Sequence, residues 1–368
     1  MPPSRSRREL KARLGHHLAP ATTAADVLAR AADALLWAVP ADVWCGVLLD
    51  PSTLLDTGGV HHEGFPADVM PRLFEIEHVE QDGVDNVRVL ARRESPVSLL
   101  SASTGGDLAS STYYRDILAP LRLADEMRVV LRDGARTWGL LVWCRATTPF
   151  TAADLAAAHT VVAPATEALR RSFLRQGTDT GAVVDGTGLV VVDADQRITH
   201  STSTADRLLT ELQEDGRAHH ATDSPHTLRA LAARARTTGP RGSVRSHAKT
   251  RSGTWISLTA YAMPGDGSVT ISVGPPDLTE LTAIVLDAYA LSPRHREVTE
   301  LVLRGRSTEE IMAQLHLSRN TLNGYFTKIF DTVGVRSRSE LAARVFQRHY
   351  QPHLAHPPLA LDGRLLLT

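Results

Sequence analysis

Only three residues, His316-Leu317-Ser318, lie between two helix signals near the end of this 368-residue chain, and that joint constrains the fold more than any other feature. Before it, Ser307-Thr308-Glu309-Glu310 has the pattern of a capping box, in which serine and glutamate satisfy each other's amides at a helix start. After it, Ser318 is placed as the N-cap of a helix with Leu322, Phe326, Ile329, Phe330 and Val333 at i, i+4, i+7, i+8 and i+11. That spacing puts all five on one face. A three-residue connection of this kind is the tight joint of a helix-turn-helix. Two more helix signals flank the pair. Ser292-Pro293 reads as an N-cap followed by proline at the first helical position, with Gly305 as the stop, and Ser337-Arg338-Ser339-Glu340 reads as a second capping box.

The other face of the 318–331 helix carries Arg319, Asn320, Asn323, Gly324, Thr327 and Lys328. An ordinary solvated face is richer in Glu and Lys. A helix that reads DNA needs its back locked into a core and a front without bulk, offering partners to base edges and phosphates. Asparagine pairs with adenine edges, lysine and arginine reach phosphate or guanine, and the helix N-terminus at Ser318 offers free N–H groups to a phosphate. Gly324 costs about 1 kcal/mol relative to alanine inside a helix. Close approach to DNA is one reason to tolerate it, and an ordinary surface glycine is the other.

Residues 291–346, LSPRHREVTELVLRGRSTEEIMAQLHLSRNTLNGYFTKIFDTVGVRSRSELAARVF, resemble the LuxR-type (GerE-type) DNA-binding domain. The matching positions are Leu291, Pro293, Arg294, Glu297, Val298, Leu301, Gly305, Ser307, Glu310, Ile311, Leu317, Ser318, Thr321, Leu322, Ile329, Gly334, Val335 and Arg338. The resemblance implies an all-α, four-helix domain over 291–348 whose third helix enters the major groove. Asn323, Gly324 and Thr327 would face bases, with Arg319, Asn320, Lys328, Arg336 and Arg338 on phosphate. It also implies that the fourth helix, through Leu341, Arg344 and Val345, helps pair two copies, so a homodimer on a pseudo-palindrome is expected. The chain departs from the family pattern at Asn323 and Thr332, where lysine is frequent, and at Tyr325, where histidine is usual. Two fewer positive charges weaken the non-specific electrostatic attraction to DNA. Residues 291–350 hold ten Lys/Arg against six Asp/Glu, a local and modest net charge of +4.

Upstream, residues 21–175 read as an α+β block: a helix in ATTAADVLARAADALLWAV, a strand in DVWCGVLLD, a hairpin about Asp133-Gly134, and a closing helix capped by Thr151. Residues 182–275 read as a second, smaller one, a hairpin and two helices followed by a meander with turns at Ser252-Gly253 and 264–267. In element order they resemble GAF-like and PAS-like sensor domains. The expected architecture is therefore multidomain: two α+β sensor modules and then the helical domain. A flexible basic segment (1–20), a linker (176–181), a connecting helix (276–290) and a flexible tail (349–368) complete it.

Lys plus Arg (40) nearly balances Asp plus Glu (41), so no global field marks a polyanionic partner. No apolar run reaches the ~18 residues that span a bilayer, and the start lacks the apolar core of a secretory signal. A cytoplasmic protein with no membrane partner is expected. Cys45 and Cys144 form no CxxC and sit in apolar, strand-like runs beside Trp44 and Trp143, as inert buried thiols do. HHEG (61–64) and HH (219–220) lack a third ligand at zinc spacing, DADQ (193–196) fits a hairpin turn, and DGTGLV (185–190) is no dinucleotide fingerprint. No catalytic constellation, metal site or cofactor is read from the sequence. The expected function is transcriptional regulation through double-stranded DNA, with a small-molecule or protein signal acting on the upstream blocks and RNA polymerase as a partner in the case of an activator. The alternative is a sensor whose helical domain binds a protein instead of DNA.

Overall fold

A computed structural model describes residues 7–61, 65–66, 68–81, 83–134, 136–174, 186–215, 224–239, 242–276 and 278–349. The chain forms two compact units, one made of the residues up to 177 together with 184–275, the other chiefly of the segment from Pro276 onward. The expected linker and most of the expected tail lie outside the described residues, as do His62–Gly64 of HHEG and both residues of HH.

In the first unit, helices α1 (Arg7–Leu18) and α2 (Ala24–Ala38) lead into strands β1 (Val43–Leu49) and β2 (Asp56–His61). Helix α3 (Met70–Glu75) runs on into a π turn over 76–80, and α4 (Val87–Leu90), β3 (Val97–Leu99) and α5 (Leu100–Ser103) follow. The hairpin of β4 (Asp125–Asp133) and β5 (Arg136–Arg145) turns at Gly134, as the sequence indicates, and α6 (Ala152–Leu174) closes the region. Thr151 caps α6, its hydroxyl accepting from the Asp154 amide at 3.2 Å while the Asp154 carboxylate accepts from the Thr151 amide at 2.8 Å. These strands form an antiparallel sheet in the order β3-β4-β5-β1-β2, with α2 and α6 packed on it and α1 against both helices. The segment expected to be flexible thus contains a helix. Leu10, Leu14 and Leu18 recur every four residues and are buried, while the basic residues take the outer face.

The second α+β region contributes β6 (Gly188–Val192), β7 (Ile198–Ser201), α7 (Ser203–Thr210), β8 (Glu214–Asp215), α8 (His226–Thr238), β9 (Val244–Lys249), β10 (Trp255–Ala262) and β11 (Val269–Gly274). Its sheet is antiparallel in the order β7-β6-β11-β10-β9, and the meander turns where the Gly and Pro signals place it. The two regions interlock. β8 pairs in parallel with β2 and becomes the sixth strand of the first sheet. Leu55, Met70 and Phe74 of the first region complete the apolar core built on β6, α8, β10 and β11. Polar groups cross as well. Gln213 accepts from the Ala25 amide near the start of α2 at 3.1 Å, and its own amide donates to the carbonyls of Lys249 and Thr250. The buried Asp50 carboxylate accepts from the His247 amide at 2.8 Å. Lys249, 6% exposed, donates to the carbonyls of Ser172 and Phe173 at 3.0 Å each, a cation at the negative end of α6.

Cys45 and Cys144 are free thiols on the adjacent strands β1 and β5. Burial, then the neighbouring Glu126 carboxylate, pushes the Cys45 thiol up to about 12, and the same causes push Cys144 up, so both stay protonated. Among the described residues no helix is long and apolar enough to cross a membrane, and no group of His, Cys, Asp and Glu assembles that holds a metal.

Candidate nucleic-acid interface

The second unit consists of α9 (Leu278–Ala288), α10 (Pro293–Leu303), α11 (Thr308–Leu315), α12 (Arg319–Val333) and α13 (Arg338–His349). Local chemistry sets each boundary. The Ser292 hydroxyl accepts from the His295 amide, and Gly305 takes the left-handed conformation, φ +74°, that ends α10. The capping box at Ser307 is complete, with the serine accepting from the Glu310 amide at 3.2 Å and the Glu310 carboxylate from the Ser307 amide at 2.7 Å. At the joint, His316 adopts φ +53° and the Leu317 amide donates to Met312 O, which turns the chain sharply between α11 and α12. Arg294 reinforces this turn by donating to Leu315 O at 2.6 Å, a cation on the last turn of α11. Ser318 caps α12 through the Thr321 amide, and Gly334, φ +73°, ends it. At α13 the expected capping box is altered. Ser337 accepts from the Glu340 amide, but the Glu340 carboxylate takes the Arg336 amide at 2.8 Å in place of the Ser337 amide.

The back of α12 is the anchor. Leu322, Phe326, Ile329 and Val333 are buried, with Val298, Leu301, Val302 and Ile311 as further buried core of the unit, while Phe330 is half-buried and stacks on Phe326. Tyr325 is also half-buried and meets the His295 ring of α10 edge-on at 5.2 Å. A buried leucine or isoleucine contributes about 1.5–3 kcal/mol, so this stripe holds the helix in place. The front is open. Arg319, Asn320, Thr321, Asn323, Gly324, Thr327 and Lys328 are all exposed, as is Ser318 at the helix start. A Cβ built on Gly324 meets no atom within 4 Å, so nothing inside the chain requires glycine there. The Thr327 hydroxyl donates back to Asn323 O at 3.1 Å, which leaves its lone pairs facing outward.

The positive charges divide into two groups. Among the described residues, Lys328 and Arg336 make no side-chain hydrogen bond or ion pair and are exposed. Arg319 is exposed too but pairs with Glu309 at 2.9 Å. The Glu309 carboxyl is held below its ordinary range by its own backbone amide and then by Arg319. Arg338 is half-buried: it donates to Thr308 Oγ1 at 2.9 Å and to Arg306 O, and its guanidinium lies 5.4 Å over the Phe326 ring. It ties the start of α13 to the start of α11, and its donors on those two acceptors are spent. Leu341 and Val345, expected to pair two copies, are 0% and 2% exposed. Their side chains belong to the unit's own core because α13 packs on α9 and α10. Arg344 donates to Gly334 O at 3.3 Å. Arg294, one of the positions at which the sequence matches the family pattern, also pairs with Glu297 three residues on, at 2.5 Å.

With this geometry in place, a comparison with known protein families falls on the same segment. Residues 289–345 match the family model described as bacterial regulatory proteins, luxR family. The C-terminal unit therefore carries a LuxR-type helix-turn-helix domain. The chain is 34% identical over 79 residues to the probable HTH-type transcriptional regulator GfsR of Streptomyces halstedii. That match covers 20% of this chain and 32% of GfsR, about a third of the relative's length. Among solved structures, the VqsR LBD domain from Pseudomonas aeruginosa is 17% identical, with 45% of this chain and 94% of that one covered and a TM-score of 0.33. Vibrio cholera VqmA, solved with ligand and DNA, is 22% identical, with 45% and 84% covered and a TM-score of 0.23. At such TM-scores neither likeness bears on the function of this chain.

Proposed function

We propose that the chain is a cytoplasmic transcriptional regulator that binds double-stranded DNA through α12 and receives its signal through the α+β unit. One observation carries the reading: a helix locked into a core by four buried apolar residues presents Asn323, Gly324, Thr327 and Lys328 together on its open face, in a segment of LuxR-type sequence. In this reading α12 lies in the major groove with Asn323 and Thr327 at base edges. Gly324 permits the close approach, and Ser318, Arg319, Asn320, Thr321, Lys328 and Arg336 engage the backbone. Two copies bind a pseudo-palindrome. Because Leu341 and Val345 are committed to the core, the pairing surface on α13 falls to its exposed side. The GAF-like and PAS-like regions form the sensor, open to a small molecule or a protein, and RNA polymerase is the further partner if the protein activates.

The test is capture of fragmented genomic DNA by the full chain, with Asn323→Ala and Lys328→Ala beside it. A palindromic motif should be enriched. Asn323→Ala should relax its sequence preference by about 1–3 kcal/mol at one position, whereas Lys328→Ala should weaken all sites alike. A second reading, protein docking by α12, draws on the neutralisation of Arg319 by Glu309 and the engagement of Arg338, which leave few free cations on the face. Absence of any enriched DNA would favour it.

A further inference from the structure

Where α8 packs over α3 and the following π turn, the first unit gathers basic side chains, two of which, Arg88 and Arg234, make no ion pair among the described residues. Phe74 stacks on His78 with ring centres 5.5 Å apart, and His226 at the start of α8 meets Phe74 edge-on at 5.5 Å. Arg234 follows His226 by eight residues, about 12 Å further along α8. His78 is 4% exposed, and its Nδ1 and the Nε of Arg88 on α4 are buried with no hydrogen-bond partner. Among the described residues neither the Arg88 nor the Arg234 side chain makes a hydrogen bond or an ion pair. Among the described residues, the carboxylates of Glu77 and Asp85 on neighbouring turns are engaged elsewhere. Glu77 takes Arg128, Asn86 and the Val87 amide, and Asp85 takes Arg93, Ser98 and Ser103. The group is also electrostatically coupled: burial and then Arg234 and Arg92 lower Arg88, and burial, Arg88 and Arg234 outweigh Glu77 in lowering His78. Buried donors without acceptors, and like charges facing one another, are destabilising unless a further group supplies the acceptor.

We infer that this joint binds an oxyanion, the phosphate or carboxylate group of a small metabolite, between the guanidinium groups of Arg88 and Arg234 and the unpartnered His78 Nδ1. Guanidinium forks match both oxyanions in shape and charge. His78 lies inside the packed joint, so the ligand group enters singly, unlike a polyanion laid along a surface. α4 and the π turn belong to the first α+β region and α8 to the second, so the bound anion ties the two regions together. That makes it the input of the proposed sensor. Its regulatory meaning rests on the DNA-binding reading, but its binding does not.

The experiment measures the melting of the full chain without DNA, against inorganic phosphate and against citrate, with chloride at matched ionic strength as the reference. A saturable rise in Tm with phosphate, citrate or both is expected, and the arm that responds identifies the chemical class. Arg88→Ala and Arg234→Ala should each weaken that response by about tenfold to hundredfold, the effect of one charged hydrogen bond. In chloride alone both variants should melt at or above the temperature of the parent chain, because each removes one of two like charges that act on one another. No rise with either anion, or a rise that persists in both variants, overturns the inference. A loss of DNA binding with the anion response intact would instead strike only the DNA-binding reading.

Discussion

Replacing Lys249 by methionine tests whether the two α+β regions act as one body. The ammonium spans them, donating from β9 to the last carbonyls of α6, Ser172 O and Phe173 O, at 3.0 Å each. Both of those residues are buried, so water does not take over the acceptors. Hydrogen bonds from a charged donor contribute about 1.5–3 kcal/mol each, and a carbonyl left unsatisfied costs about 1–3 kcal/mol. Against this, methionine removes the several kcal/mol of desolvation that a buried ammonium carries. The balance is a destabilisation of about 3 kcal/mol. At roughly 2–4 °C per kcal/mol for large domains, the melting transition of this unit should fall by ~6–12 °C. Differential scanning calorimetry of the full chain reads it, with Lys11→Met on the exposed side of α1 as a control expected to stay within about 0.5 kcal/mol. A drop of less than about 2 °C for Lys249→Met would show that the α6 end does not depend on this cation, and the argument for a single body would lose its main polar support.

Three further outcomes follow from the same geometry. Leu322→Ala, at a side chain with no exposure, should destabilise the C-terminal domain by about 2–5 kcal/mol in urea titration. Ser307→Ala removes one half of the capping box and should cost that domain about 1 kcal/mol in the same assay. Burial lowers His78 from 6.5 to about 4, with Arg88 and Arg234 adding to the effect and Glu77 opposing it, and His226 facing it across Phe74. The unfolded chain therefore takes up the proton first as the pH falls. Stability should be flat above about pH 6.5 and fall by about 3 kcal/mol toward pH 4, an acid limb that His78→Phe should remove from the pH profile of the urea midpoint.

The C-terminal domain was legible because its determinants are local. Caps at Ser292, Ser307 and Ser318 and the apolar repeat of α12 act within a few residues, and the structure uses each of them. Asp133-Gly134 and the turns of the meander were legible for the same reason. The polar bridges were not. Gln213 meets Ala25, and His247 meets Asp50, across separations of 188 and 197 residues, and no pattern in a sequence pairs polar residues so far apart. The two-residue strand β8 is too short to give a periodic signal, yet it joins the sheets' regions. In α1 the signal was present, since Leu10, Leu14 and Leu18 keep a helical spacing, but the basic composition around them suggested a flexible segment. Arg338 and Leu341 show the opposite limit. A family position tells which residue type recurs, whereas only packing tells whether its side chain faces outward or, as here, serves the fold.

The most direct test of DNA recognition by α12 is the salt dependence of binding by the full chain to its enriched motif. With Lys328, Arg336 and Arg319 contributing two or three phosphate contacts per copy, a dimer neutralises roughly four to six phosphates, and log K should fall against log salt with a slope of about −4 to −5. Lys328→Ala should make that slope shallower by about one for each copy bound. A slope near zero, or one unchanged by Lys328→Ala, would contradict the account and leave α12 as a surface for another protein.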